Sequence, residues 1–184
     1  MGTVLIHDPR AGFSSFESDE SLGSPVDRSR LKGLSVGFRT EGNWKSWIRV
    51  LERWARALED EGARCVVHLA DGPRVGPDAD STTRLVSDWA AELDVAVSGL
   101  GTCGSCTSYT VVDATTARAA GAPAMAVVTT EFAPHARSIA RHLGSADLPV
   151  FELPHPLEGR PDDELDRIGD EYFDAFVVRV VSIA

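Results

Sequence analysis

Residues 94–128, DVAVSGLGTCGSCTSYTVVDATTARAAGAPAMAVV, decide how this chain is read. Asp94 to Ser98 (DVAVS) is a short apolar run of the kind that forms a buried strand. Thr107 to Ala120 has helix-forming composition. It ends at Gly121-Ala122-Pro123, where glycine can close a helix and proline cannot continue one. Pro123 to Val128 (PAMAVV) is again strand-like. A strand, a helix and a strand in this order make a crossover unit, which sets the two strands parallel.

The pattern repeats on both sides. Leu34 to Phe38 (LSVGF) predicts a strand, and Thr40-Glu41-Gly42-Asn43 a turn with Asn43 as helix N-cap. Trp44, Trp47, Ile48, Leu51, Trp54, Ala55 and Leu58 then recur at three- and four-residue steps. That is one apolar helix face, so its tryptophans are expected in the core, and Gly62 is the expected stop. Arg64 to Leu69 predicts a strand carrying Cys65 as a core residue, and Ser81 to Leu93 a second amphipathic helix. Downstream, Ala133 to Leu143 reads as helix, Pro149 to Leu153 as strand, and Asp162 to the end as helix. Upstream, Val4 to Ile6 reads as a short strand ending at His7-Asp8-Pro9. Residues 11–30, rich in Ser, Gly, Asp and Glu, read as a mobile loop.

Strands alternating with helices predict a single α/β domain over residues 1–184. Its sheet should be mostly parallel with helices on both faces, a three-layer flavodoxin- or Rossmann-like architecture. Such sheets bind ligands beyond the carboxyl ends of their strands. Thr40 to Asn43, the cysteine loop, Thr129 to Phe132 and Pro154 to Pro156 should share that edge.

Composition narrows the function classes. The 184 residues carry a formal net charge of −10 and no basic cluster, which argues against a nucleic-acid partner. No stretch approaches the roughly 20 apolar residues of a membrane span, and the first residues lack the pattern of a secretion signal. A cytoplasmic protein without membrane contact is expected. Three cysteines are too few for a disulfide scaffold in a chain this long. Tyr172, Phe173, Phe176, Val177, Val178, Val180 and Val181 exceed what one helix face needs. The excess is read as a subunit interface of a homo- or hetero-oligomer.

Two of the cysteines stand as Cys103-Gly104-Ser105-Cys106, between a strand and a helix N-terminus. The partial positive charge there favours thiolate over thiol. Cys103, nearer the strand end, would attack, and Cys106 would resolve the adduct by closing a disulfide. Gly104 and Ser105 permit the tight turn, and Ser105 or Thr107 would cap the helix. Metal binding would need His155 and a carboxylate in addition, so no metal is expected. His155, held between Pro154 and Pro156, is a candidate for moving protons. His7 is a weaker candidate of the same kind. Gly101, Thr102, Gly104, Ser105 and Thr107 would line a ligand beside the thiols, with Asn43 and Glu131 shaping the pocket. The same run also reads as Gly99-x-Gly101-x-x-Gly104, a phosphate-cradling pattern, with Glu131 where a ribose-binding acid would stand. A nucleotide-binding module without thiol chemistry is therefore a competing reading. A non-catalytic subunit completing another chain's site is a third.

The stretch SGLGTCGSCTSYTVVDATTARAAGAPAMAVVTTEF, residues 98–132, resembles the UGSC-motif (seleno)protein family. In that family a selenocysteine or cysteine followed by Gly-Ser-Cys-Thr comes after a Gly-x-Gly-x turn. Cys103 stands in the selenocysteine place, and Gly104, Ser105, Cys106 and Thr107 match directly. Asp113, Gly121-x-Pro123, Asp8-Pro9, Gly42-Asn43 and His155-Pro156-Leu157 also fit. Thr102 departs from the acidic residue usual before the redox position, and Glu41-Gly42-Asn43 from a Lys-Pro-Asn turn. Substrate recognition is where those departures would show. The resemblance implies catalysis at Cys103, and a distant similarity to the selenocysteine subunit of glycine reductase implies reductive cleavage of a carbon–heteroatom bond. The expected function is thiol-dependent chemistry on a small molecule, with an external thiol or an NAD(P)H-linked reductant as electron source.

Overall fold

The computed structural model describes residues 27–184. The strand expected at Val4 to Ile6, His7, Asp8 and most of the 11–30 loop lie outside the described residues. A short 3-10 turn over Arg28–Leu31 leads into five strands and five helices. These are β1 (Ser35–Thr40), α1 (Lys45–Asp60), β2 (Arg64–Leu69), α2 (Ala79–Ala90), β3 (Val95–Gly101), α3 (Gly104–Ala119), β4 (Ala124–Thr129), α4 (Ala133–His142), β5 (Val150–Leu153) and α5 (Asp162–Ile183).

All strand pairs are parallel, in the order β2-β1-β3-β4-β5. This is the flavodoxin-like order, in which the chain first winds one way from β1 and then the other. It opens a crevice between the carboxyl ends of β1 and β3. Both faces of the sheet are covered, as the sequence predicted. Val36, Phe38, Val95, Val97, Met125, Val127, Phe151 and Leu153 point to one side and form a single core with α1 and α5. Ala126 and Val128 point to the other side against α3 and α4, and Ala96 and Ala124 against α2 and α3. The small side chains on this second face let α3 lie close to β3 and β4. Large aromatics fill the first face, where Trp54 stacks on Phe176 with ring centroids 4.3 Å apart.

Several boundaries differ from the sequence reading, each for a local reason. Helix α1 does not use Asn43 as its cap. Trp44 occupies the cap position without a side-chain bond, and the Glu158 carboxylate accepts from the Ser46 N–H at 2.8 Å instead. An acidic group from a distant loop satisfies the helix end, which local sequence cannot show. Helix α2 ends at Ala90 rather than Leu93, and α3 begins at Gly104 rather than Thr107. Trp47 and Trp54 are buried as expected, and Trp44 partly so. Cys65 is half-buried against that same core.

The apolar excess of the C-terminal helix has a place inside the fold. Phe176, Val177, Val180 and Val181 are buried beneath α1 and the sheet, and Tyr172 and Phe173 pack partly against them. The internal core accounts for the four buried residues, while Tyr172, Phe173 and Val178 remain half-exposed. No described helix is long and apolar enough to cross a membrane.

Candidate functional site

The cysteine turn is the junction of β3 and α3. Gly101 closes the strand where no side chain fits. A Cβ there would stand 2.8 Å from Val128 Cγ1 and 3.0 Å from the Thr107 backbone. Gly99 is similarly confined, since a Cβ would meet Trp47 at 2.9 Å. Two of the three glycines of the phosphate-cradling pattern are thus required by packing. The third, Gly104, is exposed with open space around it.

Cys103 is the N-cap of α3, and its sulfur accepts from the Cys106 N–H at 3.2 Å. Neither Ser105 nor Thr107 caps the helix, as the sequence had suggested. The Ser105 hydroxyl lies 3.6 Å from Cys103 Sγ. Thr107 is fully buried, and its hydroxyl donates to the Cys103 carbonyl at 2.6 Å. It fixes the turn from beneath and is not placed to touch a ligand. Cys103 and Cys106 are joined as a disulfide, their Cα atoms 5.2 Å apart. Cys106 is buried at 8% exposure, while Cys103 is the more open of the two.

Thr129, placed by the sequence on this edge but not among the site residues, ties the neighbouring loops to this turn. It ends β4, fully buried, with its hydroxyl 2.9 Å from His155 Nδ1 and 3.5 Å from the Thr102 hydroxyl. Thr102 precedes Cys103 and His155 follows β5, so three adjacent strands contribute to one polar chain. The His155 ring also meets the Phe132 ring edge-on, at 5.7 Å between centroids. Asn43 and Glu131 lie exposed on the flanking loops of the same sheet edge. Among the described residues neither side chain makes a hydrogen bond that would hold it toward the thiols. No group of three or more metal-ligating side chains occurs among the described residues.

A second polar cluster lies beneath the carboxyl end of β1. Arg39 and Asp113 form an ion pair at 2.6 Å with both side chains almost wholly buried. Arg74 reaches the same carboxylate at 3.3 Å, and His68 Nδ1 stands 2.7 Å from Arg39 Nη1. Burial, followed by the Arg39 charge, pushes the His68 pKa below its ordinary value. The sequence signals were Arg39 near the end of β1 and Asp113 in the family pattern, and nothing local pairs the two.

No curated protein matches the chain. Among solved structures, a flavone reductase is similar at 12% identity with a TM-score of 0.46, over 81% of this chain and 63% of that one. The translation elongation factor SelB from Methanococcus maripaludis, in its apo form, is similar at 10% identity and a TM-score of 0.40. That match covers 82% of this chain and 34% of the factor. This chain therefore spans less than two thirds of either protein. The family comparison is of a different order, because the model of the UGSC family matches residues 5–182, and the chain belongs to that family.

Proposed function

We propose that this chain is a thiol-dependent enzyme in which Cys103 is the nucleophile and Cys106 the resolving thiol. The observation that carries the reading is the Cys103–Cys106 pair itself, on the first turn of α3 at the ligand-binding edge of the sheet. The helix N-terminus favours the thiolate at Cys103, since its sulfur already accepts a backbone N–H. In the reaction a Cys103 thiolate attacks the heteroatom of a substrate R–Y. The S–Y bond forms, the R–Y bond breaks, and R leaves with the electron pair and takes a proton. Cys106 then attacks the Cys103 sulfur, the disulfide closes, and Y leaves with its electrons and a proton. The substrate gains two electrons and the cysteines lose two. An external dithiol or an NAD(P)H-linked reductant returns them. His155, linked through Thr129 to the residue before Cys103, moves the proton to the departing group.

The test begins with the reduced protein. Iodoacetamide labelling across pH, mapped by mass spectrometry, is expected to modify Cys103 first. Cys65 is the internal control, because burial pushes its thiol up to about 12. A Cys106→Ser variant incubated with small electrophiles should accumulate covalent adducts on Cys103, because the resolving step is gone. Labelling of Cys65 ahead of Cys103, or no adduct on Cys103 with any electrophile, overturns the reading.

A further inference from the structure

A concentration of buried charge lies apart from the cysteines, around Arg39 and Asp113. Arg39 is 1% exposed. Its Nε donates to Asp113 and its Nη1 faces His68 Nδ1, but its Nη2 is buried with no hydrogen-bond partner. Arg74, in the loop between β2 and α2, lies over the same carboxylate, with its guanidinium 5.0 Å from the centre of the Tyr109 ring. Two guanidiniums thus share one carboxylate.

Charge and hydrogen bonding give the same sign to what is missing. A guanidinium has only donors and keeps its charge. The His68 nitrogen facing Arg39 must therefore be an acceptor, which makes His68 neutral. Asp113 is the one carboxylate among the described residues in contact with the two guanidiniums, so one of them has no carboxylate of its own. A charged donor buried without an acceptor is costly, and folded proteins retain few of them. Arg39, Arg74, Ser98, Tyr109 and Asp113 line a cavity of about 10 Å³, room for one oxygen-sized atom. Glu41 lines it as well, from the loop after β1. The cavity lies under the β1–β3 crevice, where sheets of this order bind their ligands.

We infer that Arg39 and Arg74 form a binding site for a small carboxylate. One carboxylate oxygen fills the cavity and accepts from Arg39 Nη2, the second faces the Arg74 guanidinium, and the rest of the molecule extends into the crevice past Glu41. A carboxylate brings two acceptor oxygens and one negative charge, one oxygen for each guanidinium, and Arg39 is already held in place through Asp113 and His68. Glu41 acts against binding, because it adds a negative charge to the lining of the same cavity.

Isothermal titration calorimetry on the whole chain, at constant ionic strength, tests this with formate and acetate, and with formamide and acetamide as neutral matches. Saturable binding of the acids at a single site, and none of the amides, is expected. Arg74→Gln should weaken it about tenfold, the usual effect of losing one hydrogen bond to a charged group. Glu41→Gln should tighten it. Equal binding of acids and amides, no saturable binding of either acid, or unchanged affinity in a folded Arg74→Gln overturns the site. If circular dichroism shows Arg74→Gln unfolded, Glu41→Gln decides, and an affinity no tighter than that of the unsubstituted chain overturns it.

Discussion

Gly101 shows how little freedom the reactive turn has. The strand must end against Val128 and the Thr107 backbone, with less than 3 Å between any added carbon and Val128 Cγ1. Its neighbours cannot retreat, since Thr107 is held by its bond to the Cys103 carbonyl and Val128 lies in the central sheet. Gly101→Ala is therefore expected to destabilise the chain by about 1–3 kcal/mol, the range for overpacking a filled site. For a protein of this size that lowers Tm by roughly 2–4 °C per kcal/mol, readable by calorimetry. The substitution should also disturb the first turn of α3, seen as slower labelling of reduced Cys103. Gly104→Ala is the contrast, because a Cβ there meets nothing within 4 Å. An equal Tm loss in both variants would mean that loop flexibility, not close approach, is what Gly101 supplies.

Helices α1 and α5 carry the core on one side of the sheet. Trp54 is fully buried, stacked on Phe176 and edge-on to Phe151 and Trp47 at 5.8 Å each, and its Nε1 donates to the Gly169 carbonyl at 2.7 Å. Trp54→Ala is expected to cost about 3–5 kcal/mol, through the lost burial and the cavity left between the helices. Trp54→Phe should fall between, keeping the ring contacts while stranding the Gly169 carbonyl. Urea unfolding followed by circular dichroism orders the three chains, and a Phe variant as unstable as Ala would place the main contribution in the hydrogen bond. This helix was the most legible element of the sequence, because its tryptophans and leucines repeat on one face and solvent takes the other. Helix α3 was less so. It is packed on β3, β4, α2 and α4, so its polar and apolar residues do not segregate and its start was read one turn late. The thiols were legible because Cys-x-x-Cys is local. Thr129 and the Arg39–Asp113 pair were not, because each gains its meaning from partners 26 to 74 residues away.

At the scale of the whole molecule, the net charge of −10 is distributed so that the paired arginines hold separate elements together. Arg49 and Arg53 on α1 face Asp162, Asp166 and Asp170 on α5. These pairs are exposed and contribute little each. The buried cluster of Arg39, Asp113 and His68 governs a different response, the dependence of stability on pH. His68 titrates below its ordinary value of 6.5 in the folded chain, because burial and the adjacent Arg39 disfavour its charged form. As pH falls through 6.5, the unfolded chain takes up a proton on His68 before the folded chain does. Proton uptake then favours unfolding. The contribution of His68 to stability is therefore complete above about 6.5 and is lost as pH falls toward its folded value. The exposed carboxylates Asp147 and Asp166, held low by Arg118 and Arg49, act at more acidic pH, outside the window of His68. Tm measured from about pH 5 to pH 8 should thus be flat at the top of the range and decline below about 6.5. In His68→Gln a neutral carbonyl can still accept from Arg39, so the fold is kept while the titrating group is removed. That variant should show a shallower decline. Identical slopes in the two chains would mean that His68 carries the same proton affinity folded and unfolded, and that Arg39 does not control it.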